Sequence, residues 1–153
     1  MIKRFAALAA AVALLACAHA PAQTRYQGLE MRLVSEIGGR PFPLWDEPGT
    51  MALDPEALFS GKDFAAIEAS GAGGDDKKTP SLWLHFTPEA AQRFTRTTTE
   101  SAGRRLAVVV DGKVVTAPKI LHPITTGLFE ITGPTESYIS EMYRSIETGS
   151  VRP

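Results

Sequence analysis

The sequence predicts an α+β domain: a mixed or antiparallel sheet with an Asp-Gly hairpin, and two main helices packed on one face. Three observations carry this. Leu106 to Val110 and Val114 to Thr116 are apolar, β-branched runs joined around Asp111-Gly112, and a two-residue Asp-Gly loop favours the type I′ turn that matches the twist of paired strands. Leu82, Leu84 and Phe86 alternate with Ser81, Trp83 and His85, the period of a strand with one core face. Ile139, Met142, Tyr143 and Ile146 recur at helical spacing, one stripe that must cover a sheet.

Taken from the N-terminus, Leu29 to Ile37 alternates Leu29, Met31, Leu33 and Ile37 with Glu30, Arg32 and Glu36, which predicts a half-buried strand ended by Gly38-Gly39. Pro41, Pro43, Pro48 and Gly49 predict an irregular connection. Phe42, Leu44 and Trp45 would cover one end of the core, with Trp45 a lid over apolar surface or else a binding aromatic. Asp54-Pro55-Glu56 has the form of an N-cap, a first-turn proline and an early acid, so a short helix through Phe59, stopped by Gly61, is expected. Phe64 to Ala69 is ambiguous between helix and strand. Gly71 to Thr79 is glycine-rich and charged, a hairpin tip or loop.

Thr87-Pro88-Glu89 opens a helix whose small or apolar positions Ala90, Ala91, Phe94, Thr98, Ser101 and Ala102 recur at three- and four-residue steps, with Gly103 as its C-terminal cap. The hairpin follows. Leu106 to Val110 and Val114 to Thr116 are too apolar for a one-sided sheet, so at least one of the two strands is expected to be covered on both faces. Pro118 lacks an N–H and suits the exit of an edge strand. Leu128 to Thr132 reads as another strand, and Pro134-Thr135-Glu136 opens the last helix, with Glu136, Ser140, Arg144 and Glu147 on its wet side and Gly149 at its end.

The first 22 residues are of another kind. Lys3 and Arg4 precede an apolar run from Phe5 to Ala16, the length of a signal-peptide core and short of the roughly 20 residues that span a bilayer. The run ends Leu14-Leu15-Ala16-Cys17, which resembles a bacterial lipobox, with Cys17 as lipidation site and membrane anchor. The other reading is a soluble product cut at Ala18-His19-Ala20 or Ala20-Pro21-Ala22. Residues 1–22 are thus expected to be a signal and the start of a tether, 23–52 an N-terminal strand and proline-rich connection, and 53–150 the main domain. Cys17 is the chain's only cysteine, so packing alone must hold the fold. Past the signal no run approaches a transmembrane span.

A chain of 153 residues, 44% hydrophobic and 22% charged, supports one ordinary globular domain. Removing Lys3 and Arg4 from the 16 basic side chains leaves 14 against 17 acidic ones. No basic block favours nucleic acid, and Arg104-Arg105 alone is weak grounds for phosphate binding. Catalysis and metal binding need converging groups. His85 and His122 stand without any HExxH, CxxC, GxSxG or P-loop spacing. Asp75-Asp76 lies beside Lys77-Lys78 as a solvated loop, and Asp111 shapes a turn. No catalytic residue, metal ligand or cofactor is therefore expected. Trp83, Lys113 and Lys119 are the candidate interaction surface.

The run Gly103 to Pro118, GRRLAVVVDGKVVTAP, also carries a family resemblance. With Leu82 to Thr87, Pro88 to Gly103, Ile124 to Gly127, Ile131 to Gly133, Thr135 to Gly149 and the lead-in Leu58, Ser60, Gly61, Lys62 and Asp63, it resembles the head subdomain of the first periplasmic domain of SecD/SecDF, the protein-export membrane protein family. The similarity covers about residues 53 to 149. Thr126 and Pro134 stand where that family usually has glycine. The resemblance implies that Phe64 to Ala69 is a strand, and that the chain is a free-standing, non-enzymatic domain of the periplasm or cell envelope that binds polypeptide or a partner protein. A scaffolding envelope lipoprotein unrelated to export, and an uncharacterised enzyme, are the alternatives.

Overall fold

The computed structural model describes residues 25–71 and 79–149. The signal, Cys17 and the loop centre at 72–78 lie outside the described residues. Nine strands and two α-helices form the described structure: β1 (Leu29–Leu33), β2 (Arg40–Pro43), β3 (Thr50–Leu53), β4 (Phe59–Ser60), β5 (Phe64–Ser70), β6 (Ser81–Phe86), α1 (Pro88–Glu100), β7 (Leu106–Val110), β8 (Lys113–Thr116), β9 (Leu128–Thr132) and α2 (Glu136–Gly149). They build three antiparallel sheets, ordered β4-β1-β7-β8, β2-β3 and β5-β6-β9. The α+β class holds, but the strands divide among separate layers where one sheet layer was expected.

The hairpin between β7 and β8 forms as expected. Asp111 has φ 47° and Gly112 φ 77°, the paired positive angles of a type I′ turn. A Cβ on Gly112 would meet nothing within 4 Å, so only its backbone angle calls for glycine. Every residue of β7 is buried. Leu106, Val108 and Val110 enter the main core with Leu29, Met31 and Leu33 of β1. Ala107 and Val109 enter a second, smaller core with Phe42, Leu53, Val114 and Ala117. The expectation of double coverage is met by the β2-β3 hairpin on one side and by the helices and remaining sheet on the other.

Helix α1 begins where Thr87 Oγ1 accepts the Ala90 N–H at 3.2 Å, and Pro88 occupies the first turn, where it forfeits no helical bond. It buries Ala90, Phe94 and Thr98. Phe94 stacks on Phe86 at 4.3 Å and meets Phe59 and Phe129 edge-on at 5.5 and 6.2 Å. Phe59 belongs to the first sheet and Phe86 and Phe129 to the third, so this ring is the bolt between them. Helix α2 begins with Thr135 Oγ1 accepting the Tyr138 N–H and buries Ile139, Met142 and Ile146. Its neighbours are β5, β6 and β7. Both helices lie on the inner face of the β5-β6-β9 sheet.

Four local expectations are corrected. No helix forms from Asp54 to Phe59. Asp54 N–H bonds Leu33 O and Leu58 N–H bonds Met31 O, while Arg32 donates to the carbonyls of Asp54 and Pro55 and Arg104 takes the Asp54 carboxylate at 2.9 Å. Those tertiary bonds consume the groups a helix start would need. Gly61 does not end a helix but opens a 3₁₀ turn, Gly61–Asp63, where a Cβ would collide with the backbone oxygens of Arg25 and Tyr26. The proline-rich stretch is not irregular: β2 and β3 pair through it. Leu44 N–H bonds Gly49 O, so the same side of β2 presents Arg40 and Phe42 to β3, and Pro41 and Pro43 fall where no donor is required. Strand β1 stops at Leu33, its Arg32 is buried too, and Ile37 lies beyond it, 94% exposed. Gly38 and Gly39 have φ 75° and 89° and turn the chain into β2.

Candidate functional site

The β5-β6-β9 sheet has an inner and an outer face. Inward go Ile67, Leu82, Leu84, Phe86, Phe129 and Ile131. Outward goes a cross-strand row in which Trp83 stands between Glu68 on β5 and Glu130 on β9. In a second outer row His85 stands between Ala66 and Leu128. Among the described residues neither helix packs on this face. Glu68 and Glu130 are exposed, and Trp83 and His85 half-buried.

Strand β9 is also an edge. Phe86 N–H bonds Gly127 O and Gly133 N–H bonds Pro80 O, which sets the parity of the ladder: Phe129 and Ile131 bond β6, while the backbone of Leu128, Glu130 and Thr132 points away from it. Thr126 Oγ1 bonds the Leu128 N–H at 3.3 Å. The N–H and C=O groups of Glu130 and Thr132 face outward without a partner strand among the described residues. Other edges are blunted. A register shift between Phe64 and Ala66 bulges β5, β4 has two residues, and Trp45 N–H bonds Val114 O on β8.

Beside the β9 edge lies an apolar cleft of about 420 Å³. Leu106, Ile120 and Phe129 form its floor, and Leu121, His122 and Ile124 its far wall. Leu121 is 69% exposed. The wall is held in place rather than loosely hung: Ile120 N–H bonds Arg104 O, Gly103 N–H bonds Ile120 O, and Thr98 Oγ1 accepts the Ile124 N–H at 3.0 Å. An edge with free donors and acceptors next to an apolar trough can receive an extended chain, main chain to the edge and alternate side chains into the trough.

The three candidate surface residues do not share one surface. Trp83 occupies the outer face just described. Lys119 lines the cleft opposite Arg105. Lys113 sits at the turn end of β8, its ammonium 5.7 Å from the Trp45 ring, and six residues of extended chain, about 20 Å, separate it from Lys119. Asp111 and Gly112 make the turn, and Asp111 also accepts a hydrogen bond from Ser145 of α2. Leu121, Glu68 and Glu130 went unmarked in the sequence; their signals were an apolar residue beside His122-Pro123 and two charges on the wet side of alternating strands.

Elsewhere several charged groups are held by one another or by the backbone. A polar cleft of about 550 Å³ at the start of α1 holds Lys62, Asp63 and Arg93, but Asp63 is buried, binding Arg93 at 3.1 Å and the Ser60 N–H at 2.9 Å. Arg104 binds Asp54 and Arg105 donates to Ala117 O. Burial, then the carboxylates of Asp46 and Glu47, raises the Tyr138 pKa, and a hydrogen bond to Glu147 raises that of Tyr143; neither lines the cleft. Among the described residues no three His, Cys, Asp or Glu side chains gather to hold a metal ion, and no helix is long and apolar enough to cross a membrane.

This architecture has known counterparts. Residues 39–150 match the family described as SecDF, P1 head subdomain, so the likeness reaches further upstream than the motifs alone. Protein translocase subunit SecD of Acidaminococcus fermentans is 34% identical over 89 residues, 58% of this chain and 21% of that protein. Protein translocase subunit SecDF of Thermus thermophilus is 38% identical over 95 residues, 61% of this chain and 12% of that one. The matched stretch thus spans between 12% and 21% of these relatives' length. A solved structure described as SecDF in Super-membrane-facing form superposes with TM-score 0.62 and 28% identity over 82% of this chain and 19% of that one. Another, of a membrane component SecDF that enhances protein export, gives TM-score 0.60 and 29% identity over 78% and 61%. The hairpin, the helices and the sheet they cover are those of this group, and the chain belongs to the SecDF P1 head subdomain family.

Proposed function

We propose that this chain is a non-enzymatic protein of the bacterial cell envelope that binds extended polypeptide along the open edge of β9, in the service of protein export. The observation that carries this is the unpartnered backbone of Glu130 and Thr132 beside the apolar cleft of Leu106, Ile120, Leu121 and Phe129. Main-chain pairing gives affinity for any extended segment, and the cleft rewards apolar side chains, a combination suited to unfolded chains of varied sequence. Kinship with translocase subunits supports export as the setting. In this reading residues 1–22 direct the chain out of the cytoplasm, Cys17 carries the lipid that holds it at a membrane surface, and residues 53–150 with the upstream strands form the binding domain. No cofactor enters.

Photocrosslinkers placed at Leu121, Lys119 and Trp83 in intact cells test it, with Lys113 as the remote control. Capture of many exported chains at Leu121 and Lys119, and few at Lys113, is the expected result. One folded partner captured from every position would instead make the chain a scaffold. Membrane association in Cys17→Ser, or processing unaffected by globomycin, would remove the lipid anchor while leaving the binding reading intact.

A further inference from the structure

The Glu68, Trp83, Glu130 row has charge and aromatic surface that no Lys or Arg among the described residues matches. Glu130 Oε1 accepts the Ser81 hydroxyl at 2.7 Å, and Glu68 Oε2 lies 3.6 Å from His85 Nε2, an atom buried without a hydrogen-bond partner. Each carboxylate is thus drawn toward β6, the strand that carries the indole. Three other rings carry cations: Arg32 and Arg40 over Phe42, Arg93 over Phe59, Lys113 over Trp45. Among the described residues none stands over Trp83, and no Lys or Arg pairs with Glu68 or Glu130.

We infer that the polypeptide taken up along β9 presents a basic residue, arginine best of all, opposite Glu130, flanked on both sides by apolar residues. This rests on strand addition at β9. In an added strand the residue opposite Glu130 shares the outer face, while its neighbours opposite Phe129 and Ile131 point to the cleft side. Glu130 then lies one strand spacing away, about 5 Å, and Trp83 two, about 10 Å. A long basic side chain laid across the sheet meets the carboxylate first and the indole next. Arginine suits both, because its planar guanidinium pairs with a carboxylate and stacks on an aromatic face. The site therefore selects an apolar-basic-apolar pattern and disfavours an acid at the centre, where it would face Glu130 directly.

The test uses the full chain in detergent with Trp45→Phe, which leaves Trp83 as the sole tryptophan reporter. Three capped peptides, Thr-Ile-X-Ile-Thr with X arginine, glutamine or glutamate, are titrated against its emission. The arginine peptide should bind about tenfold more tightly than the glutamate one, with glutamine between, and Glu130→Lys should reverse the order. Glu68→Gln, on the far side of the indole, serves as a second variant that should narrow the preference. Equal binding of all three peptides would overturn the charge preference and leave strand addition standing. Binding of none, checked by amide chemical shifts of Glu130 and Thr132, would overturn both.

Discussion

The β4-β1-β7-β8 sheet and the β5-β6-β9 sheet are both antiparallel, yet one is covered on two faces and the other on one. In the first, Val108 lies in the main core and its neighbour Val109 in the second, so successive residues of a single strand are all buried. In the second, Leu82 and Leu84 are buried while Trp83 and His85 between them are half-buried on an open face. The lesson is a division of labour. Burial on both faces leaves the first sheet little surface for a ligand beyond Leu106 at the cleft floor and makes it scaffold. An open face, an open edge and an adjacent trough leave the second sheet free to bind.

If that division is right, the largest effect on stability comes from the residue that joins the two sheets. Phe94→Ala removes a ring that touches Phe59 of one and Phe86 and Phe129 of the other, and should cost about 3 to 5 kcal/mol in denaturant unfolding. A loss under about 1 kcal/mol would mean that the sheets are not coupled through α1. Next comes Gly112→Val in the scaffold hairpin. Space around the Cβ is open, so the whole penalty is the positive φ, and it should exceed about 1 kcal/mol. Thr87→Ala, which strips the cap of α1, should cost about 1 kcal/mol; no change would place the start of that helix under tertiary control alone.

How far the sequence disclosed this follows the same division. Elements whose signal is local and whose surroundings agree with it were legible: the Asp111-Gly112 turn, the Thr87 cap, the stripes of α1 and α2, the alternation of β6. Asp54-Pro55-Glu56 was misleading because its helix-start chemistry is real but outbid by Arg32, Arg104 and the edge of β1. Pro41 and Pro43 read as breakers, since a sequence does not reveal which side of a strand its partner will lie on. The cleft was invisible for a related reason. Its floor draws Leu106, Ile120 and Phe129 from three separate segments, and exposed Leu121 acquires meaning only beside the edge of β9. Lys119 and Trp83 are legible in the sequence as surface candidates, but the edge that lies between them is not.

The smallest expected effect is also the sharpest test of the comparison. Glu130 is exposed, faces no cation among the described residues, and bonds Ser81 through an oxygen that a glutamine carbonyl could replace. Glu130→Gln should therefore shift stability by no more than about 0.5 kcal/mol, a value that thermal melts of wild type and variant can bound. A scaffold residue with so little at stake would be silent in every assay. Glu130, if the second sheet is the binding sheet, should instead weaken the discrimination between arginine and glutamate peptides while the melt stays put. A variant that unfolds readily would assign Glu130 to the scaffold and erase the distinction between the two sheets.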